Sequence, residues 1–450
     1  MPTMIEKLFG VCLIPKRLFN KFRMFREEII NLRETSRILS IMIANDFGER
    51  QYCFQNTAGN TYHSTIREVN SGVWTNLTGP DFGSAWSLFD VDRIRAIVEY
   101  DNKIYCGVSS VNRQDASVYV LDGKLWKVVG GKGSNGSWKH QRECISLAVY
   151  KDVLFAGTLD GHQAALWFFT KSDNCWKEVD LSNIVPRFKA VNSMVTDENY
   201  LYVTISDGEL ADQINFTPKV LRFNGECWED ITPLETWKKF PYSEIYELHI
   251  HTDGILFATF ISSNPDSNNY SLLPTWEIWS FDQAEWNYEV GSCSNLKLPV
   301  LGYALRFASI GDELFVVGDR YPNCGADFTT IWKKTRSSWL PVGLGQIPLR
   351  WGHYKNVNAV CNFNGSLIVG FGGRPGGYSA IEAYTPENGW KVVGGFTTTD
   401  SWAGKKGNEC LVDVHAREYV YRMLCINNDL LVCFGSSPGT GQIWKYSENC

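Results

Sequence analysis

Tryptophan recurs along this chain at a nearly constant interval, and that interval limits the fold more than any other feature. Trp74, Trp126, Trp176, Trp228, Trp286, Trp339 and Trp390 follow one another at 52, 50, 52, 58, 53 and 51 residues. A period of about 50 residues belongs to repeat architectures whose units bury a face against their neighbours, propellers above all. Upstream of each Trp after the first lies a short apolar run: KIYCGV from Lys103, VLFAGT from Val153, YLYVTI from Tyr200, ILFATF from Ile255, ELFVVG from Glu313 and SLIVGF from Ser366. Another run, LLVCFG from Leu430, has no Trp at the expected distance after it.

Each run is preceded by a second apolar stretch and a turn such as YDNK, YKD, TDEN or INND, which predicts a β-hairpin. A polar loop, a third short strand (SVYVL, ALWFF, KVLRF, EIWSF, TIWKK, AIEAY or QIWKY) and the strand carrying the closing Trp complete the unit. Four short antiparallel strands make one propeller blade. The last unit stops at QIWKYSENC, three strands in, whereas SGVWTNLTG around Trp74 is a lone fourth strand. Joined, the fragments complete one blade and leave no exposed sheet edge. The expected fold is therefore all-β: a seven-bladed β-propeller over residues 70–450, its ring closed by an N-terminal strand.

The segment SLIVGFGGRPGGYSAIEAYTPENGWKVVGG carries Gly372 and Gly373 after its second strand, then Tyr384 and Trp390 six residues apart, and Tyr119 and Trp126 keep a similar spacing. This pattern resembles the kelch-like propellers. The other units lack the double glycine and often the Tyr. The resemblance implies a propeller fold and, because such propellers serve as adaptors, lectin-like binders and occasional enzymes, leaves the function open.

Residues 1–45 follow another rule. Leu18, Phe22, Phe25, Ile29, Leu32, Ser36, Leu39 and Ile43 alternate four and three apart, which predicts an amphipathic heptad helix suited to homo-oligomerisation or to packing on the propeller. Lys7, Lys16, Arg17, Lys21, Arg23 and Arg26, interleaved with Leu and Phe, also suit peripheral membrane contact through residues 7–26. Residues 46–69 read as a linker or an added strand.

Composition removes several partners. With 43 basic against 49 acidic residues and a net charge of −6, no global basic field exists to hold nucleic acid. The 13 cysteines form no CxxC or Cys/His cluster, so neither a metal nor another cofactor is expected, and free thiols fit a reducing compartment. No apolar run reaches roughly 18 residues and no signal peptide is evident. A cytoplasmic location is the expectation, against which sequons beginning at Asn76, Asn135, Asn215, Asn269 and Asn364 lean weakly outward.

Two groups of side chains are candidates for ligand contact. Of the 17 tryptophans, the closing ones and Trp167, Trp279, Trp332 and Trp444 on third strands are expected to pack between blades, with Trp276 similar. Trp86, Trp138, Trp237, Trp351 and Trp402 instead fall in connections between blades, accompanied by Lys139, His140 and His353. Aromatic rings with neighbouring donors suit a glycan or a protein hot spot, and a repeated loop Trp equally suits plugging a blade junction. The second group comes from aligning the inner strands, which brings Arg95, Glu247 and Tyr421 into one column and Arg306 and Arg422 into the next. If these face the axis they form a polar funnel with Glu247 as its carboxylate, the alternative seat of a carbohydrate-active enzyme. His249 and His251 alternate on one strand face without a third ligand. No nucleophile elbow, HExxH pair or EF-hand is present. The expectation is a non-enzymatic recognition module for a glycan or protein, with a funnel enzyme and an intracellular adaptor as alternatives.

Overall fold

The computed structural model describes residues 39–44, 50–55, 61–66, 72–78, 91–110, 115–131, 134, 138, 141–160, 163–206, 218–233, 244–262, 275–291, 306–318, 330–335, 338–342, 354–373, 379–395, 419–435 and 441–448. Every regular element among them is a β-strand. The chain divides into two compact units at Glu68/Val69.

In the first unit, Leu39–Ala44, Arg50–Gln55 and Thr61–Ile66 form a three-stranded antiparallel meander. This departs from the expected helix at its C-terminal end, because the seam positions Leu39 and Ile43 lie in the first strand. LSIMIA is rich in β-branched isoleucine and finds in Arg50–Gln55 a partner that satisfies its backbone. The span expected as a linker accordingly contains two strands. Seam positions Leu18 to Ser36 and the basic residues 7–26 lie outside the described residues.

The second unit is a β-propeller. Its strands group four by four into antiparallel meanders, as in Val91–Tyr100, Lys103–Ser110, Ser117–Asp122 and Leu125–Gly131. The first two strands of this group are joined through Asp101 and Asn102, both at positive φ, and Lys151–Asp152 and Asn427–Asn428 repeat the geometry. Such two-residue turns match the twist of the flanking strands. The first strands of successive groups touch in a continuous series, Val91–Tyr100 meeting both Glu143–Tyr150 and Tyr419–Ile426. Close approach between groups is built into second-strand glycines: a Cβ at Gly370 would stand 2.5 Å from Val420 Cγ1.

Gly72–Asn76 pairs antiparallel with Gln442–Glu448, Trp74 opposite Tyr446, so an early strand completes the group made by Tyr419–Ile426, Asp429–Gly435 and Gln442–Glu448. One joint recurs between groups. The indole N–H of Trp126 donates to Leu77 O (2.8 Å), that of Trp176 to Val129 O (2.9 Å), and that of Trp390 to Val342 O (3.3 Å). Each acceptor sits in or just after the closing strand of the preceding group. Trp74 makes the same bond to Val393 O at 3.1 Å, across 319 positions of sequence. Core clusters straddle the junctions accordingly: Val91, Ile94, Cys106 and Trp126 pack with Leu431, Cys433 and Ile443.

Trp74→Ala removes both the indole bond and the packing on Tyr446, 5.0 Å between ring centroids. A loss of about 3 kcal/mol is expected, read as a lower urea midpoint. An unchanged midpoint would show that neither the indole bond nor the Trp74–Tyr446 packing contributes to the stability of the fold.

Candidate functional site

One cluster of polar side chains lies where the first strands of the groups begin. A β-bulge recurs there. Pairing slips between Ile94 and Ala96, between Ile245 and Glu247, between Val357 and Ala359, and between Val420 and Arg422. The skipped residues are Arg95, Tyr246, Asn358 and Tyr421. Regular alternation would send consecutive side chains to opposite faces, whereas a bulge re-aims one of them. Tyr246 and Glu247 thus both reach the same partner: Arg306 Nη2 donates to Tyr246 Oη (3.3 Å), and Arg306 Nη1 is ion-paired with Glu247.

From that pair the network spreads around the strand ends. Arg306 Nε donates to Asn358 O at 3.1 Å, and its guanidinium lies 4.6 Å from the Tyr246 ring centroid. Arg422 Nη1 stands 3.6 Å from the same Glu247 carboxylate, while Arg422 Nε donates to Arg95 O at 3.1 Å. Arg95 approaches Glu143 (3.5 Å) and lies 5.4 Å from the Tyr421 ring centroid, with Arg93 at 6.0 Å. Asn192 donates to Glu244 Oε1 at 2.7 Å. The funnel candidates Arg95, Glu247, Arg306, Tyr421 and Arg422 are therefore brought together. Arg93, Glu143 and Tyr246 join them although the column alignment did not single them out. The bulges that admit Tyr246 carry no sequence mark.

Charge in the cluster is unequally compensated. Four guanidiniums, of Arg93, Arg95, Arg306 and Arg422, share the Glu143 and Glu247 carboxylates in these ion pairs. Burial opposes the Arg306 charge most strongly, but Glu247 and Tyr246 together outweigh it and the Arg306 pKa is raised. Arg422 receives the more distant share of Glu247. Burial and then repulsion from Arg306 push its pKa down to about 10, so it stays charged at neutral pH while sharing Glu247 with Arg306. Its side chain is 21% exposed against 10% for Arg306. Burial raises the pKa of the Tyr421 hydroxyl, the two arginines beside it working the other way, so it remains a neutral donor.

The loop candidate that is described behaves differently. Trp138 is 3% exposed, stacked on Trp167 at 5.5 Å and 10°, and edge-on to Trp176 at 5.2 Å. Its ring fills a blade junction instead of offering a face to a ligand. Trp86, Lys139, His140, Trp237, Trp351, His353 and Trp402 lie outside the described residues. His249 Nε2 and His251 Nδ1 both meet Ser309 Oγ at 2.7 Å, so the pair is engaged by a hydroxyl. No group of three metal-ligating side chains occurs among the described residues. A separate crevice of about 450 Å³ is lined by Arg222, Trp279, Phe281 and Trp286, and there Arg222 is paired with Glu229 at 2.7 Å.

No family model matches the chain, and no curated protein matches it. Solved structures do. YCF48 from Cyanidioschyzon merolae is 10% identical, with 83% of this chain and 99% of that one covered and a TM-score of 0.48. The WD40 domain of Neurospora crassa Pan2 is 10% identical, with coverage of 84% and 97% and a TM-score of 0.46. An ulvan lyase, described as a polysaccharide lyase, is 10% identical, with coverage of 79% and 94% and a TM-score of 0.48.

His249 supplies a pH test of this region. Burial pushes its imidazole down to about 4, with Glu247 pulling upward and His251 adding to the depression. A folded pKa below the unfolded value near 6.5 means that the unfolded chain binds the proton first. Stability from this group is complete above pH 6.5 and is lost as pH falls towards 4, by about 3 kcal/mol. The stability difference between wild type and His249→Gln, measured by urea unfolding from pH 7 to 4.5, is expected to shift by that amount; parallel curves would contradict it.

Proposed function

We propose that the chain is a non-enzymatic recognition module: a seven-bladed, kelch-like propeller that binds a carboxylate- or sulfate-bearing glycan, with an acidic protein segment as the other ligand of matching chemistry. The reading is carried by one observation, the convergence of Arg306 and Arg422 on the shared Glu247 carboxylate, with Arg95 and Tyr421 beside them and Arg422 partly open to solvent. A ligand anion would add a closer partner to the Glu247 carboxylate that Arg422 shares with Arg306, in a fork geometry that guanidinium offers to carboxylate and sulfate alike. The Tyr421 ring and hydroxyl supply an amphipathic wall suited to a sugar.

In sequence the loop candidates come shortly before first strands. Trp351 and His353 immediately precede the strand Tyr354–Phe363, and Lys139 and His140 precede Glu143–Tyr150. With Trp86, Trp237 and Trp402 they are proposed as the outer contacts of the ligand, and Trp138 as the plug beneath them. Seven blades follow from reading each four-strand group as a blade; the kelch-like assignment rests on Gly372, Gly373, Tyr384 and Trp390.

Convergence on Glu247 also favours a second reading, an enzyme acting on carbohydrate with Glu247 as its acid or base. A carboxylate held by two guanidiniums is better suited to fixing them than to exchanging protons, which places this reading behind the first. Release of reducing ends from an acidic oligosaccharide, abolished by Glu247→Gln, would establish it.

The test is a panel of uronic-acid and sulfated oligosaccharides, their neutral counterparts and poly-glutamate, with wild type and Arg422→Gln. Acidic glycans are expected to bind in a salt-sensitive manner and to lose roughly tenfold or more in affinity in the variant, which corresponds to a charge-assisted contact of at least about 1.4 kcal/mol. Equal binding of neutral sugars, or a variant that binds like wild type, would overturn the reading. Binding of poly-glutamate alone would move the ligand class to protein.

A further inference from the structure

Cys361 and Cys425 stand on the first strands of adjacent blades, Tyr354–Phe363 and Tyr419–Ile426, with their sulfurs 3.3 Å apart and one thiol donating to the other. Both are partly accessible, whereas Cys106, Cys144 and Cys433 are fully buried and burial holds their thiols protonated. The pair packs against a cluster containing Trp74, Phe363, Val420 and Tyr446, the same residues that seat the closing strand. Two sulfurs held this close need move only about 1 Å to reach disulfide bonding distance.

The two thiols are not equivalent. In the neutral pair the Cys425 S–H donates to Cys361 Sγ; once Cys425 is deprotonated the Cys361 S–H can donate in return, which lowers the pKa of Cys425, and the same contact, followed by burial, raises that of Cys361. The first proton lost therefore leaves its charge on Cys425. A nucleophilic thiolate beside a resolving thiol is the arrangement that thiol–disulfide exchange requires.

We propose that Cys361 and Cys425 form a reversible modification site that reacts with small-molecule disulfides to give a disulfide between two blades. The Cys425 thiolate attacks one sulfur of the reagent, forming a mixed disulfide and expelling one small thiolate. Cys361 then loses its proton and attacks the Cys425 sulfur, forming the Cys361–Cys425 bond and expelling the second. Two protein thiols are oxidised, the reagent is reduced to two small thiols that take up the two protons, and no further oxidant is needed. The new bond ties the blade completed by Gly72–Asn76 to its neighbour.

The full chain is incubated with oxidised glutathione at pH 8, quenched with N-ethylmaleimide, digested without reduction and examined by mass spectrometry, alongside thermal unfolding. A peptide linking Cys361 to Cys425 is expected as the main cross-link, with a melting temperature several degrees higher. Dithiothreitol should reverse both effects. Cys425→Ser should fold with an unchanged melting temperature before oxidation and show neither effect after it. Glutathione left on Cys425 without the cross-link, alkylation of both cysteines with no linked peptide, or an equal thermal shift in Cys425→Ser would each overturn the proposal.

Discussion

A single kind of joint organises the propeller: an indole from one blade's closing strand donating to a carbonyl at the end of the previous blade's closing strand. Each such bond satisfies a buried donor that would otherwise oppose the burial of a large ring. It also fixes how far one sheet lies from the next, since the indole spans the gap at a set length. A sheet with one face against each neighbour has no stability of its own, so the joint at Trp74 and Val393 matters as much as any other although its partners lie 319 positions apart.

Tight lateral packing leaves the inner strands little freedom except where they begin, and there the bulges give it back. Tyr246, Tyr421 and Arg95 occupy skipped positions, which lets neighbours such as Tyr246 and Glu247 turn towards one guanidinium. The resulting cluster keeps its charges by sharing them. Glu247 serves two arginines, and the one further from it is also the one more open to water. A buried network in which two guanidiniums share one carboxylate is costly to hold.

Much of this was legible in the chain itself, because a propeller repeats its chemistry. Tryptophans every fifty residues, apolar runs before them and Asp-Asn or Asn-Asn turns between hairpin strands are local signals, and the four-strand groups, the turn positions and the pairing of Gly72–Asn76 with Gln442–Glu448 follow them. The column that held Arg95, Glu247 and Tyr421 also met in space. Sequence pattern failed where contacts beyond the chain neighbourhood decide. Leu39 and Ile43 fit a heptad as well as a strand, and it was pairing with Arg50–Gln55 that chose between them. Trp138 shared its loop position with four other tryptophans, yet Trp167 and Trp176 claim its ring. The proximity of Cys361 and Cys425, 64 positions apart, had no local signature at all.

Glu448 lies directly opposite Gly72 in an antiparallel ladder, the relation that the two sides of a hairpin bear to each other. For the propeller unit taken alone, a short turn joining those strands would make the backbone a continuous loop, and the chain could then be opened at another turn, such as Asp101–Asn102, with every ladder and indole joint preserved. A circularly permuted form of this propeller is a rearrangement of its gene that its folded surface would not register.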